Sequence, residues 1–511
     1  MRPIDTLMIN LTKIGKEMTR MKSASVAVLV FVMLLLVPVV AQGATAPQSA
    51  FSPSAESLLP SQDYVWQEIN GFCSWAATAM AMQYAGVDVD LYDVFAASTI
   101  GFSFAYFRYD DAFLLFPGAL LTQVEPTEFL ADLYGVNYTL YLGTEIPDLE
   151  QTVQVYQSQG INIGIIDGQT EAMSLMRATI DSGYPVLISV DPMFLPTSDY
   201  DILREQELSG GAHGILVVGY NDTSTTATII DPGVGSFGEN FSYPIDGRGN
   251  YSTISYTLLL AAWSNRYYIL NTFLPLSSPS SSIDNQLGPM VRDKLLGVGT
   301  TYFPSSPNAY IGKFGQAGFR ELSTDLTPDG LKSYLSLFDD VEHEVTFKAS
   351  LLYFIGLGLE AQVTLQYLSY RTSLYALPAL MPDSDLTDFI AAGEVALPAF
   401  DEMADNSTLV FPGNLSQVNG FVASTFRGIA DAYNSSGDLD TSIAAFESDL
   451  QTITDDLLII ADSWEAAGLV LDALWPSGFL QVYGPIIAFA GAGVGALVVL
   501  TFWWIRKKPS Q

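Results

Sequence analysis

Trp66-Gln67-Glu68-Ile69-Asn70-Gly71-Phe72-Cys73-Ser74-Trp75 runs directly into Ala76-Ala77-Thr78-Ala79-Met80-Ala81-Met82-Gln83-Tyr84-Ala85. The second stretch is apolar and rich in alanine, the best helix former. Gly86 is its natural stop, because glycine takes the left-handed C′ conformation without steric cost. Asn70 or Gly71 is placed to cap the start. The spacing predicts a helix over Cys73–Ala85, with the chain's single cysteine in its first turn. Unpaired N–H groups and the dipole at that end favour the thiolate, which is the nucleophilic form of cysteine. A lone cysteine beside an apolar helix is more commonly a small buried hydrophobe, so the reading depends on what else the chain supplies.

The chain has two histidines. His213 lies in Gly210-Gly211-Ala212-His213-Gly214, just before the apolar run Ile215–Tyr220. Asn221–Ser224 reads as a turn, and Thr226–Ile230 as a second strand ending in Asp231-Pro232-Gly233. Two strands joined by a short turn form a hairpin, which sets the start of the first beside the end of the second. His213 and Asp231 occupy those two places. A carboxylate on one ring nitrogen fixes the tautomer and supports the imidazolium, leaving the other nitrogen for Cys73. Taken alone, Asp before Pro-Gly is a turn former. The second histidine, His343, begins His343-Glu344 but has Phe347 where a HExxH site needs its second histidine, so no zinc site is expected.

The order Cys73, His213, Asp231, with Gln67 six residues before the cysteine, resembles the papain-like cysteine peptidases. It resembles their C39-like branch more closely, on Gln67, Cys73, the His213–Tyr220 segment and Asp231–Gly233, over about Ser61–Leu274. Here Ser74 stands between the cysteine and Trp75, which shifts the aromatic by one position. The resemblance implies Cys73 as nucleophile, His213 as general base and then acid, and Asp231 as the orienting group. It implies Gln67 as a side-chain oxyanion donor beside the Cys73 N–H. Gly315–Leu322 loosely resembles the helical half behind some C39-like domains, among them the butirosin-biosynthesis acyltransferases. An acyl-enzyme is resolved by water or by an amine. Three outcomes are therefore open: a peptidase-like hydrolase, an acyltransferase, or an inactive peptide-binding surface module. A peptide or protein is the expected substrate, with no cofactor and no metal.

Around this segment lie 511 residues, 49% hydrophobic and 12% aromatic, enough for a large core and unlike a disordered chain. Of 21 Lys+Arg, five precede residue 23 and three follow residue 505, leaving 13 between them against 53 of the 55 Asp+Glu. So acidic a body repels phosphate backbones, and nucleic acid is not an expected partner. No GxxxxGK[ST] loop occurs.

Ala24–Val40 is apolar behind a basic segment and is followed by small residues up to Ala46, the layout of a secretory signal. Val482–Ile505 carries no charge, ends in Trp503-Trp504 and is followed by Arg506, Lys507 and Lys508. That pattern spans a bilayer and leaves the basic end in the cytoplasm. Gly491 and Gly495 have the GxxxG spacing of a helix-dimer face, and so of a homodimer. The expected protein sits in the cell membrane by a single pass, with its large domain outside. Its fold is an α+β papain-like domain followed by an all-helical domain and one C-terminal transmembrane helix. The expected boundaries are a signal peptide at 1–46, the C39-like domain at 61–274, a Pro/Ser-rich linker at 275–286, the helical domain at 287–475, the transmembrane helix at 482–505 and a cytoplasmic tail at 506–511.

Overall fold

The computed structural model describes residues 55–476, apart from 69–70, 110–111, 118–125, 148, 159, 206–210, 235–248, 277–282, 299–300, 306–307 and 406–419. The expected signal peptide, transmembrane helix, tail and Gly491/Gly495 face lie outside the described residues. Among the described residues, no helix is long and apolar enough to cross a membrane.

The first region runs β1 (Glu56–Leu58), α1 (Cys73–Tyr84), α2 (Leu91–Ala97), β2 (Phe104–Tyr109), β3 (Ala112–Pro117), α3 (Pro126–Leu133) and β4 (Val136–Gly143). It continues with α4 (Leu149–Ser158), β5 (Asn162–Ile166), α5 (Gly168–Asp181), β6 (Val186–Val190), α6 (Asp201–Glu205) and β7 (His213–Asn221). It closes with β8 (Thr226–Ile230), β9 (Ser252–Ser255), α7 (Tyr256–Ser264) and β10 (Leu270–Pro275). A mixed sheet forms in the order β5-β4-β10-β6-β7-β8-β9, with β1 also on β7. Only β4 and β5 run parallel within it. Strand β7 is central, and all its residues from His213 to Tyr220 are buried, as expected for a strand covered on both faces.

Helix α1 packs on this sheet. Every residue from Ala76 to Met82 is buried, so its small alanines let helix and sheet approach closely. The stop is as the sequence implies: Gly86 has φ +88°, its N–H reaches Gln83 O at 3.0 Å, and Val87 N–H reaches Met82 O at 3.0 Å. This is the paired bonding of a Schellman end. The start differs. Phe72 is the N-cap residue and makes no side-chain cap bond. Instead its ring packs edge-on against Phe95 at 4.5 Å, so packing rather than a polar cap fixes the first turn.

The second region comprises α8 (Ile283–Leu296), β11 (Thr301–Ser305), β12 (Asn308–Phe314), α9 (Gly315–Asp325), α10 (Pro328–Ser336), α11 (Glu344–Leu380), α12 (Thr387–Glu394), α13 (Leu397–Met403), α14 (Phe421–Ser436), α15 (Leu439–Ala444) and α16 (Glu447–Leu474). It is mostly helical but not all-helical. Strands β11 and β12 extend a hairpin of the first region into a second sheet, β11-β12-β2-β3. The expected linker is also shorter than its Pro/Ser composition implies, since β10 runs to Pro275 and α8 begins at Ile283. Between Thr387 and Met403 the chain forms two helices and not one. Pro398 lies in the first turn of α13, where its missing N–H is harmless but where a continuous helix would need it.

Chain from both regions builds the second core. Phe102, Phe104 and Tyr106 join it. Phe104 stacks on Phe319 at 3.8 Å, and the Tyr106 hydroxyl donates to Asp325 at 2.6 Å. Helix α11 also supports the start of α1, because Leu365 and Leu368 pack on the cluster containing Phe72. On its other side Glu360 is fully buried and accepts the Ala423 N–H at 2.9 Å, capping α14 from outside that helix. Burial pushes the Glu360 carboxyl up to about 7.

Candidate active site

The β7–β8 hairpin is antiparallel, pairing Leu216 with Ile230 and Asn221 with Thr226, with a bulge between Val217 and Gly219. His213 therefore heads one strand and Asp231 follows the other, and His213 Nε2 lies 2.7 Å from Asp231 Oδ1. Both side chains are buried. The Asp231 backbone is held twice: its N–H donates to Gly249 O at 2.8 Å, and its carbonyl accepts the Tyr64 hydroxyl at 2.7 Å. The Gly233 N–H donates to Oδ1 at 2.8 Å, the same Asx-type turn that makes Asp-Pro-Gly a turn former.

Two glycines let this strand pair meet α1. A Cβ on Gly214 would lie 3.0 Å from both Ser74 Cα and Ser74 Oγ. With only hydrogen there, the Gly214 N–H reaches Cys73 Sγ at 3.5 Å. A Cβ on Gly233 would lie 2.6 Å from both His213 Cε1 and the Tyr200 hydroxyl, so only glycine lets the imidazole and phenol come this close to the backbone. The sequence places only His213 beside Asp231. The structure adds Cys73, whose sulfur lies at the Gly214 N–H next to this imidazole and whose thiol feels the charge of His213.

Burial alone pushes the Cys73 thiol up, but the charge of His213 and its hydrogen bond outweigh that. Smaller help from the Gly214 N–H and Ser74 leaves the thiol below its ordinary value. Burial pushes His213 down, while Asp231 and the Cys73 thiolate push it up further, to about 10. The two shifts have one cause. Each charged form favours the other: the thiolate raises the imidazole, and the imidazolium lowers the thiol. Asp231 occupies Nε2, which leaves Nδ1 for the sulfur.

Gln67 is 1% exposed. Its N–H donates to Pro232 O at 3.1 Å, tying it to the turn that carries Asp231. Its Oε1 is buried without a hydrogen-bond partner among the described residues, so one end of this amide is unsatisfied. Among the described residues, no three His, Cys, Asp or Glu side chains converge on a metal position.

With the geometry in place, the chain can be set against known proteins. Residues 59–257 match the Peptidase_C39 like family. The match supports a C39-like, papain-like fold for the first region; it begins next to Ser61 and stops at residue 257, short of Leu274. No curated protein matches the chain.

The C39-like domain also uses residues that motif reading missed. The Trp66 indole N–H donates to Val234 O at 3.0 Å, fastening the segment before Gln67 to the Asp231 turn. Glu68 has a left-handed φ of 62°, an arrangement costing about 1–2 kcal/mol for a residue with a Cβ. The Tyr92 hydroxyl, donating to Glu68 at 2.6 Å, holds it. Tyr200 is the largest omission. It ends the 3₁₀ turn Ser198–Tyr200, and its hydroxyl lies 3.1 Å from His213 Nε2 and 3.1 Å from each Asp231 oxygen. Trp66 adjoins a quoted motif and so had a signal. Tyr200 sits in a short turn with no periodicity, and nothing in the sequence marks it.

Proposed function

We propose that this protein is a membrane-anchored, extracytoplasmic cysteine hydrolase acting on a peptide or related acyl bond through Cys73, His213 and Asp231. One observation carries the reading: the only cysteine meets a buried imidazole whose far nitrogen is held by a carboxylate, within a C39-like domain. The Cys73 thiolate attacks the acyl carbonyl, and a C–S bond forms as the carbonyl electrons move to oxygen. The Cys73 N–H, which as a first-turn group of α1 has no intrahelical partner, and the Gln67 amide stabilise that oxyanion. Collapse expels the amine, which takes the proton from His213 Nδ1. Water then attacks the thioester, His213 takes its proton, and the acid is released.

Anchoring rests on the sequence of residues 24–46 and 482–505. An anchored chain stays in the pellet after alkaline carbonate extraction, and protease added outside removes the large domain. The chemistry is tested with the full chain in detergent, by iodoacetamide labelling and by cleavage of a peptide library. Wild type should label rapidly at about pH 6 and cleave, and Cys73→Ala should do neither. Labelling only above about pH 9 would overturn the reading. A product in which an added amine replaces water would reassign the second half-reaction to acyl transfer, the alternative implied by the looser resemblance.

A further inference from the structure

We propose that Tyr200 is a positioning residue of this site: its hydroxyl donates to the Asp231 carboxylate, fixes that carboxylate's orientation, and limits how much of its charge reaches His213. The inference rests on the reading of Cys73 and His213 as a reactive pair.

The geometry leaves little choice of donor. The His213 Nε2–H points at Asp231 Oδ1 at 2.7 Å, and the Gly233 N–H is directed to the same oxygen. Oδ2 receives Tyr200, the one donor to that oxygen among the described residues. The phenol has one proton, and a carboxylate attracts it more strongly than an Nε2 that already bears hydrogen. Its oxygen lone pairs then face Nε2–H. Tyr200 is 1% exposed, its ring meets the imidazole edge-on at 5.7 Å, and no side chain on Gly233 intervenes. The ring thus also excludes water from the His213–Asp231 bond.

The titratable groups facing this cluster are Cys73 of α1, Tyr64 before α1, His213 of β7 and Asp231 after β8. Asp199 and Asp201 flank Tyr200 in sequence but are engaged by Thr197 and Arg204. A hydrogen bond to a carboxylate spreads its charge. Removing the phenol proton donor concentrates that charge on His213, so the imidazolium should persist to higher pH.

The experiment is Tyr200→Phe in the full chain, read by the pH profile of Cys73 alkylation and by NMR titration of ¹³C-histidine. The chain's second histidine, His343, has a side chain 81% exposed and serves as internal reference. The expected result is an upward move of the alkaline limb, and of the His213 titration, by roughly half a pH unit or more, with His343 unmoved. A folded Tyr200→Phe protein whose profiles superimpose on wild type, or move down, overturns the proposal. If that variant does not fold, 3-fluorotyrosine placed at position 200 keeps the shape and strengthens the donor. It must then shift His213 down, and no shift overturns the proposal. If wild type itself lacks reactivity at acidic pH, the reactive-pair reading fails first, and the two failures are distinguished.

Discussion

Asp231 and Glu360 are both buried carboxylates, and they are buried to the same depth, at 2% and 0% exposure. Their surroundings differ. Asp231 meets an imidazole, a phenol and a backbone N–H. Glu360 meets the backbone N–H of Ala423 at the start of α14, and its Oε1 has no hydrogen-bond partner among the described residues. Depth therefore does not assign a role to a buried acid. A carboxylate facing a titratable ring can tune it, whereas one facing a helix end can only hold backbone in place.

The isosteric pair Asp231→Asn and Glu360→Gln tests that contrast most strongly. Asp231→Asn should lower turnover of a peptide the wild type cleaves by about 10³-fold or more, since the ring loses its orienting anion. Glu360→Gln should leave turnover unchanged. Equal losses in both variants would break the comparison. Stability should divide the two acids as well. The Glu360 carboxyl titrates near 7 when folded, above its ordinary 4.5, so its contribution is fully present below about 4.5 and is lost as pH rises through about 7. Glutamine cannot ionise. Urea unfolding at a series of pH values should find the variant similar to wild type near pH 4.5 and more stable at pH 8, by on the order of 3 kcal/mol. A gap independent of pH would show that Glu360 does not titrate there.

Glycine substitutions sharpen the picture on the Asp231 side. Gly233→Ala forces a methyl against the imidazole and the phenol at 2.6 Å, an overpacking of about 1–3 kcal/mol. Alkylation of Cys73 near pH 6 should slow by about tenfold. Gly214→Ala meets Ser74 at 3.0 Å, a contact that small shifts of α1 relieve, and should slow it only a few-fold by the same reasoning. Reversal of that order would mean that the α1–β7 contact, not the seat of the ring, limits the pair.

Much of this site could be read before any coordinates were known, because its parts are local. Cys73 opens a helix marked by alanines and Gly86, and His213 and Asp231 bracket one hairpin. The approach of Cys73 to His213 was not readable, since it depends on residue 214 lacking a Cβ, which would lie 3.0 Å from Ser74. Tyr200 was hidden for a similar reason. The second sheet escaped because Phe104–Tyr109 and Ala112–Pro117 are short apolar runs that periodicity cannot assign to strand or helix. Their partner, β12, lies some two hundred residues away. The start of helix α8 was misplaced because its first turn falls inside a stretch whose composition reads as linker.

That second sheet affects how the protein is made. Tyr310 pairs with Tyr109, and Phe314 with Ala105, so a nascent chain exposes one edge of β2 until about two hundred further residues have left the ribosome. Open edges of this kind invite pairing with the wrong chain, and long-range pairing forms slowly. Translation pauses before residue 314, or a stop codon placed after the first region, should therefore favour aggregation of the β2–β3 hairpin over an independently soluble fragment.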